Sequence, residues 1–269
     1  MELVKCYGLV TSLRKVELRI ATKARLMRKT LTLFLLLTSF CWAEGLFEWV
    51  DHNRVDKVEE ALVENPELVN KKQHQITLLH AACFKGHQSM AGMLIEHGAD
   101  LEAIDLMGST PLHRALANGY GKLGLFLLEK GASLEHADKN GVTPFMVGAR
   151  SSSREILMAL LEKNPQLEMA DHRGRTALHH SIEAEQWNNV RALLEAGANV
   201  NHQDKKGRTL LHKAVASGQR ELAEIVLKSG IDVKLKDERG RTASELARER
   251  REQRLFNLIE ESQQQPEVE

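Results

Sequence analysis

Four histidines, His80, His113, His179 and His212, fall in one register whose steps are 33 or 66 residues. They are the side chains in this sequence with the most obvious capacity for chemistry. An imidazole can ligate zinc or relay a proton, and twelve histidines in all, with His180 directly after His179, raise the question of a metal or hydrolytic centre. The wider sequence gives that centre no support. No His-Glu-x-x-His pair, no Gly-x-Ser-x-Gly elbow and no glycine-rich phosphate loop after a strand occurs. The expectation is therefore no catalytic residue, no metal and no cofactor, with a metal-binding or hydrolytic enzyme built on the histidine ladder as the alternative.

The elements that position these histidines follow the same register. Thr77, Thr110, Thr143, Thr176, Thr209 and Thr242 are each 33 residues apart, and the histidines stand three positions after four of them. Asp105, Asp138, Asp171, Asp204 and Asp237 step likewise, each three residues before Gly108, Gly141, Gly174, Gly207 and Gly240. In Thr110-Pro111-Leu112-His113 the threonine hydroxyl can cap a helix and proline suits its first position, where no N–H is needed. That helix runs to Gly119, which can turn the chain left-handed, as Gly86 and Gly218 can. A second helix follows, with Leu123, Gly124, Leu127 and Leu128, then Ile156, Leu157, Leu160 and Leu161, on its apolar stripe. It ends at Gly131, like those at Gly98, Gly197 and Gly230. The Asp-x-x-Gly turn then puts its two middle residues at the tip.

This period and motif resemble the ankyrin repeat. The resemblance implies an all-α solenoid of stacked helix-turn-helix units with β-hairpin fingers. It also implies that each motif histidine hydrogen-bonds its threonine and the neighbouring turn, and that ligands one repeat apart, about 10 Å at the spacing of packed helices, cannot share one ion. Five full repeats are expected over 75–239, between a degenerate N-terminal capping repeat at 44–74 and a C-terminal one at 240–261. The first keeps Leu46, Val58 and Leu62 but has Phe47 and Trp49 where the motif has small or polar residues; the last exposes Glu249, Arg250, Arg251, Glu252 and Arg254. Residues 262–269 read as a frayed tail. The fourth unit departs most, with Met146 in the histidine slot, Ser151-Ser152-Ser153 for the glycine turn and Asn164-Pro165 for the closing Gly-Ala, and is a candidate hinge.

The formal net charge is zero, but residues 1–43 carry eight basic and two acidic side chains, leaving 29 basic against 35 acidic beyond them. An acidic body argues against non-specific nucleic-acid binding. Between Met27-Arg28-Lys29 and Ala43 lies an apolar block, Leu31 to Phe40, too short for the ~20 residues a membrane span takes. It reads as a signal peptide over 27–43, cleaved after Ala43, and subtracting 33 from Thr77 opens the first repeat's frame at Glu44, the same place. Residues 1–26 form a basic extension, with Met27 as the expected start. The alternatives are a mitochondrial transit peptide, a lipid anchor at Cys41 and an uncleaved membrane tether. With Cys6 and Cys41 removed, Cys83 is alone and reads as a buried small hydrophobe.

Ankyrin solenoids are known as binding scaffolds, and the resemblance implies a concave surface of finger tips and inner helices. Cations collect there: Lys139, His172, Arg173, Arg175, Lys205, Lys206, Arg208, Arg239 and Arg241, opposed at the tips by Glu238. Leu106 and Met107 put apolar side chains on one tip, with Phe84 on the preceding inner helix and Tyr120 as a further neighbour. The expected partner is another protein, acidic in character, bound by a monomer in the periplasm or outside the cell. An inhibitor or immunity role is the sharper form of that expectation.

Overall fold

The computed structural model describes residues 45–264. Residues 1–44, with the basic extension and the segment expected to be a cleaved signal, and residues 265–269 lie outside them. Two compact units divide between Leu68 and Val69.

In the first unit, residues 45–51 are helical (α1) and α2 follows at Val55–Glu64. Leu46, Val58 and Leu62 are buried as their spacing requires, joined by Val50 and Ala61. Asn53 makes the turn between the helices in the left-handed region, φ 52°, a place asparagine tolerates better than most residues. Phe47 and Trp49 are partly covered, and the Lys57 ammonium lies 5.7 Å from the Trp49 ring centroid. A short 3-10 helix, Pro66–Asn70, uses the proline of Asn65-Pro66 at its first position.

The second unit repeats one helix pair six times. The inner helices are α3 (Leu78–Lys85), α5 (Pro111–Ala117), α7 (Pro144–Ser151), α9 (Ala177–Glu183), α11 (Leu210–Ser217) and α13 (Ala243–Glu249). The outer ones are α4 (Gln88–Glu96), α6 (Gly121–Glu129), α8 (Arg154–Leu161), α10 (Trp187–Glu195), α12 (Arg220–Lys228) and α14 (Gln253–Gln264). Every inner helix has its motif threonine as N-cap, and Pro111 and Pro144 occupy the first turn. Gly86 and Gly218 take the left-handed conformation at the helix ends, φ 76° and 68°. The core is the shared interior of neighbouring pairs, where Leu112, Leu116, Leu127, Met146, Leu157 and Leu160 are fully buried.

The fingers are turns, not β-hairpins: among the described residues there is no β-strand, and the lone bridge pairs Gln73 with Ile76. Each finger is five residues long. Gly108 N–H donates to Asp105 O at 3.0 Å and Asp105 N–H to Ser109 O at 3.0 Å, which leaves no backbone pair over to start a ladder. Successive fingers are joined by single bonds, Lys139 N–H to Met107 O, His172 to Asn140, Lys205 to Arg173 and Glu238 to Lys206, at 2.8–3.0 Å. The C-terminal boundary also moves. Residues 262–264 continue α14, where the Ser262 hydroxyl donates to Ile259 O at 2.6 Å, since serine and glutamine do not stop a helix and Pro266 lies beyond.

The unusual fourth unit is closely joined to the next. Of the inner pairs α7 and α9 pack most extensively, and the Asn189 amide of α10 donates to the carbonyls of Ala149 and Ser152 at the end of α7. Asn164 adopts φ 53° in place of the missing glycine. The looser step is the following one, between α9 and α11, whose helices approach little and are linked instead by the Lys213 ammonium on Glu183 at 2.6 Å.

Candidate protein-binding face

The histidine ladder is consumed by structure. Nδ1 of His80, His113, His179 and His212 accepts the backbone N–H of its own threonine at 3.0–3.3 Å, which places the proton of the neutral ring on Nε2. In three of the four that Nε2 then donates across to the next finger, to Ser109 O at 3.0 Å, Val142 O at 3.0 Å and Arg241 O at 2.9 Å. Both ring nitrogens are occupied. His179 differs: its Nε2 is buried without a hydrogen-bond partner, at the looser step, with the His202 ring edge-on at 5.7 Å. Burial depresses the basicity of His80 and His113 and takes His179 down to about 3. Among the described residues no group of three or more His, Cys, Asp or Glu side chains is placed to hold a metal ion.

Each finger aspartate is a second structural device. One carboxylate oxygen of Asp171 accepts the N–H groups of Arg173 and Arg175 at 2.8 and 2.9 Å, and Asp105, Asp138, Asp204 and Asp237 do the same in their own turns. In four of the five the other oxygen takes a cation: Arg175, Arg208 and Arg241 close on their own aspartates four residues before, and Arg114 reaches Asp105 from α5. Burial alone would raise the Asp171 carboxyl, but Arg175 and the two N–H donors hold it at about 2; Asp237 sits at about 2 for the same reasons.

These pairs thin the basic stripe read from the sequence. Arg175 and Arg241 are shared further with Glu183 and Glu249. Arg208, a candidate contact residue, is bound to Asp204 at 2.6 Å. Lys139, Arg173, Lys205, Lys206 and Arg239 remain as exposed cations, and the His172 imidazole is exposed among them. The apolar candidates are open as well: Leu106 is 64% exposed, and Phe84 and Met107 48% each. Tyr120 does not join them. It follows the C-terminal end of α5 and its ring lies over Gly86, 2.5 Å from where a Cβ would stand, whereas Leu106 and Met107 precede the N-terminal end of that helix.

Fingers and inner helices meet in a cleft of about 760 Å³ whose lining includes Asn140, Arg150, Ser151, His172, Arg173 and His180. His180 donates from Nε2 to Asp171 at 3.1 Å and is kept neutral by burial and by Arg175. Sequence reasoning names His172 and Arg173 here but omits Asn140, Arg150 and His180. The register contains the missing signal: Arg150 occupies on α7 the place that Phe84 occupies on α3, two repeats earlier.

A family model of ankyrin repeats, three copies long, matches residues 46–138, 126–204, 168–237 and 190–261. The chain belongs to the ankyrin-repeat family. Among solved structures it is similar to the ankyrin repeat domain of Bcl-3, described as a unique member of the IkappaB protein family: TM-score 0.70, 27% identity, over 80% of this chain and 97% of that one. No curated protein matches. Ankyrin membership and this neighbour support a protein–protein interaction scaffold. Among the described residues no helix is long and apolar enough to cross a membrane.

Proposed function

We propose that this ankyrin protein is a non-catalytic, exported scaffold that binds one protein partner on its finger and inner-helix face as an adaptor or an inhibitor of the immunity type. The observation that carries the reading is the exposure of Leu106 and Met107 at one finger tip and of Lys139, His172, Arg173, Lys205 and Lys206 on the succeeding ones, with Phe84 exposed near the C-terminal end of α3, while the motif's threonines, histidines and aspartates are engaged in the fold. Apolar side chains lose water on contact and supply affinity, and the surrounding cations orient and speed the approach of an acidic partner. Export to the periplasm or beyond rests on the segment from Met27 to Ala43, and a monomer acts alone. Affinity capture with the chain from Glu44 as bait tests the reading, with a Leu106→Asp, Met107→Asp bait as control. The wild-type bait should retain a partner that the control loses; equal retention by both would remove this face from the account.

A further inference from the structure

Resting on that reading of the face, we propose what the partner presents: an acidic side chain that enters the cleft at Asn140, Arg150 and Arg173, carried on an extended segment whose apolar side chain covers Leu106 and Met107. The charge of the cleft points to this occupant. Two of the three carboxylates near it are matched by cations, Asp171 and Glu183 by Arg175 and Lys213, while Asp138 on the preceding finger accepts only the N–H groups of Asn140 and Val142. Arg150 and Arg173 stand exposed on its rim beside the His172 imidazole, two guanidinium charges against the one of Asp138, so the balance at the cleft is positive. Asn140 and Ser151 add neutral hydrogen-bonding groups beside it. A guanidinium facing a half-enclosed space is the geometry that takes a carboxylate by paired N–H donors.

The second anchor fixes the spacing. The tip bearing Leu106 and Met107 is two fingers before the tip bearing His172 and Arg173. At about 9 Å per packed repeat the two anchors lie about 18 Å apart, which an extended chain at about 3.3 Å per residue spans in five to six residues. The partner segment therefore has a large apolar residue five to six positions from an Asp or Glu.

The test is selection of sixteen-residue random peptides displayed on phage against the full chain, repeated against Arg150→Glu with Arg173→Glu and against Leu106→Asp with Met107→Asp. Wild-type selections should enrich an acidic residue five to six positions from Leu, Met, Phe or Trp. The charge-reversed protein should enrich Lys or Arg at the acidic place, and a wild-type-selected peptide should bind it at least about tenfold more weakly. If that variant melts early, Arg150→Gln with Arg173→Gln gives the same comparison without repulsion. Selection of no acidic residue, a spacing near twelve as a helix would need, or unchanged consensus in the charge-reversed protein would overturn the proposal. Peptides lost only with the Leu106 and Met107 substitutions would also overturn it while leaving the binding face itself intact. Tighter binding of a DNA duplex than of the selected peptides, or self-association abolished by Arg173→Glu, would assign the cleft to a different occupant.

Discussion

The side-chain amide of Asn189 lies 2.8 Å from the carbonyl oxygen of Ser152 and 3.0 Å from that of Ala149. One buried side chain of α10 thereby closes the end of α7, where Ser151-Ser152-Ser153 replaces the glycine turn. Asn189→Leu leaves two carbonyls unpaired in a buried place and should lower stability by about 1–3 kcal/mol, read as a shift of the urea midpoint. A change under about 0.5 kcal/mol would show that this bond does not hold the fourth unit to the fifth.

His113 and His179 share a motif slot and its bond to the threonine N–H, but not the bond to the next finger. His113→Ala removes a donor to Val142 O and should cost about 1–3 kcal/mol, while His179→Ala, whose Nε2 has no partner, should cost about 1 kcal/mol less. Chemical denaturation of the two variants checks this, with elemental analysis alongside. Stoichiometric zinc lost on His113→Ala at unchanged melting temperature would restore the metal reading.

Acid should unfold the protein in two stages. His80, His113, His179 and His180 titrate lower in the fold than their ordinary value of 6.5, so the unfolded chain takes up protons that the folded chain refuses. Their stabilisation is complete above about pH 6.5 and is lost as pH falls, for His179 down to about 3. Asp171 and Asp237, held at about 2, add stability above their ordinary 3.8 that disappears as pH approaches 2. Urea midpoints from pH 8 to about 2 should decline, with a shallower decline above pH 3 in His179→Gln.

Gln75 holds the place that Gly108 and its successors hold in later fingers, yet adopts φ 66°. Gln75→Gly removes a side chain from the left-handed region and should raise stability by about 0.5–1 kcal/mol, visible in the melting temperature. A fall would mean that the glutamine side chain does more than occupy the turn.

The repeat was legible because it rests on local chemistry: threonine caps, prolines at helix starts and glycines at helix ends act within a few residues, and a 33-residue period repeats the signal. The fingers were misread as hairpins because the sequence marks the Asp-x-x-Gly turn but not how few residues flank it. The candidate face was half legible. Exposure of Leu106 and Met107 follows from their place at a tip, whereas the pairing of Arg208 with Asp204 needed the side-chain geometry, although the four-residue spacing was present in the sequence. Asn189 bonds across repeats and carries no mark in a single unit's motif, whereas Arg150, which lines a cleft shared with the next finger, is marked only by comparing the register of α7 with that of α3.

Export has a separate check. N-terminal sequencing of material recovered outside the cytoplasm should begin Glu-Gly-Leu-Phe, from Glu44. Recovery of the intact chain from Met1 or Met27 in the cytoplasm alone would contradict it.

The central claim, that the finger and inner-helix face binds an acidic protein partner, is tested most directly by association and dissociation rates of the captured partner. The account predicts that Leu106→Asp with Met107→Asp abolishes binding, because two carboxylates cannot be buried without a large penalty. Reversing Lys205 and Lys206 to Glu should instead slow association and flatten its salt dependence, with little change in dissociation. Wild-type rates in both variants, or release by Glu substitutions around Trp187 on the outer helices, would contradict it.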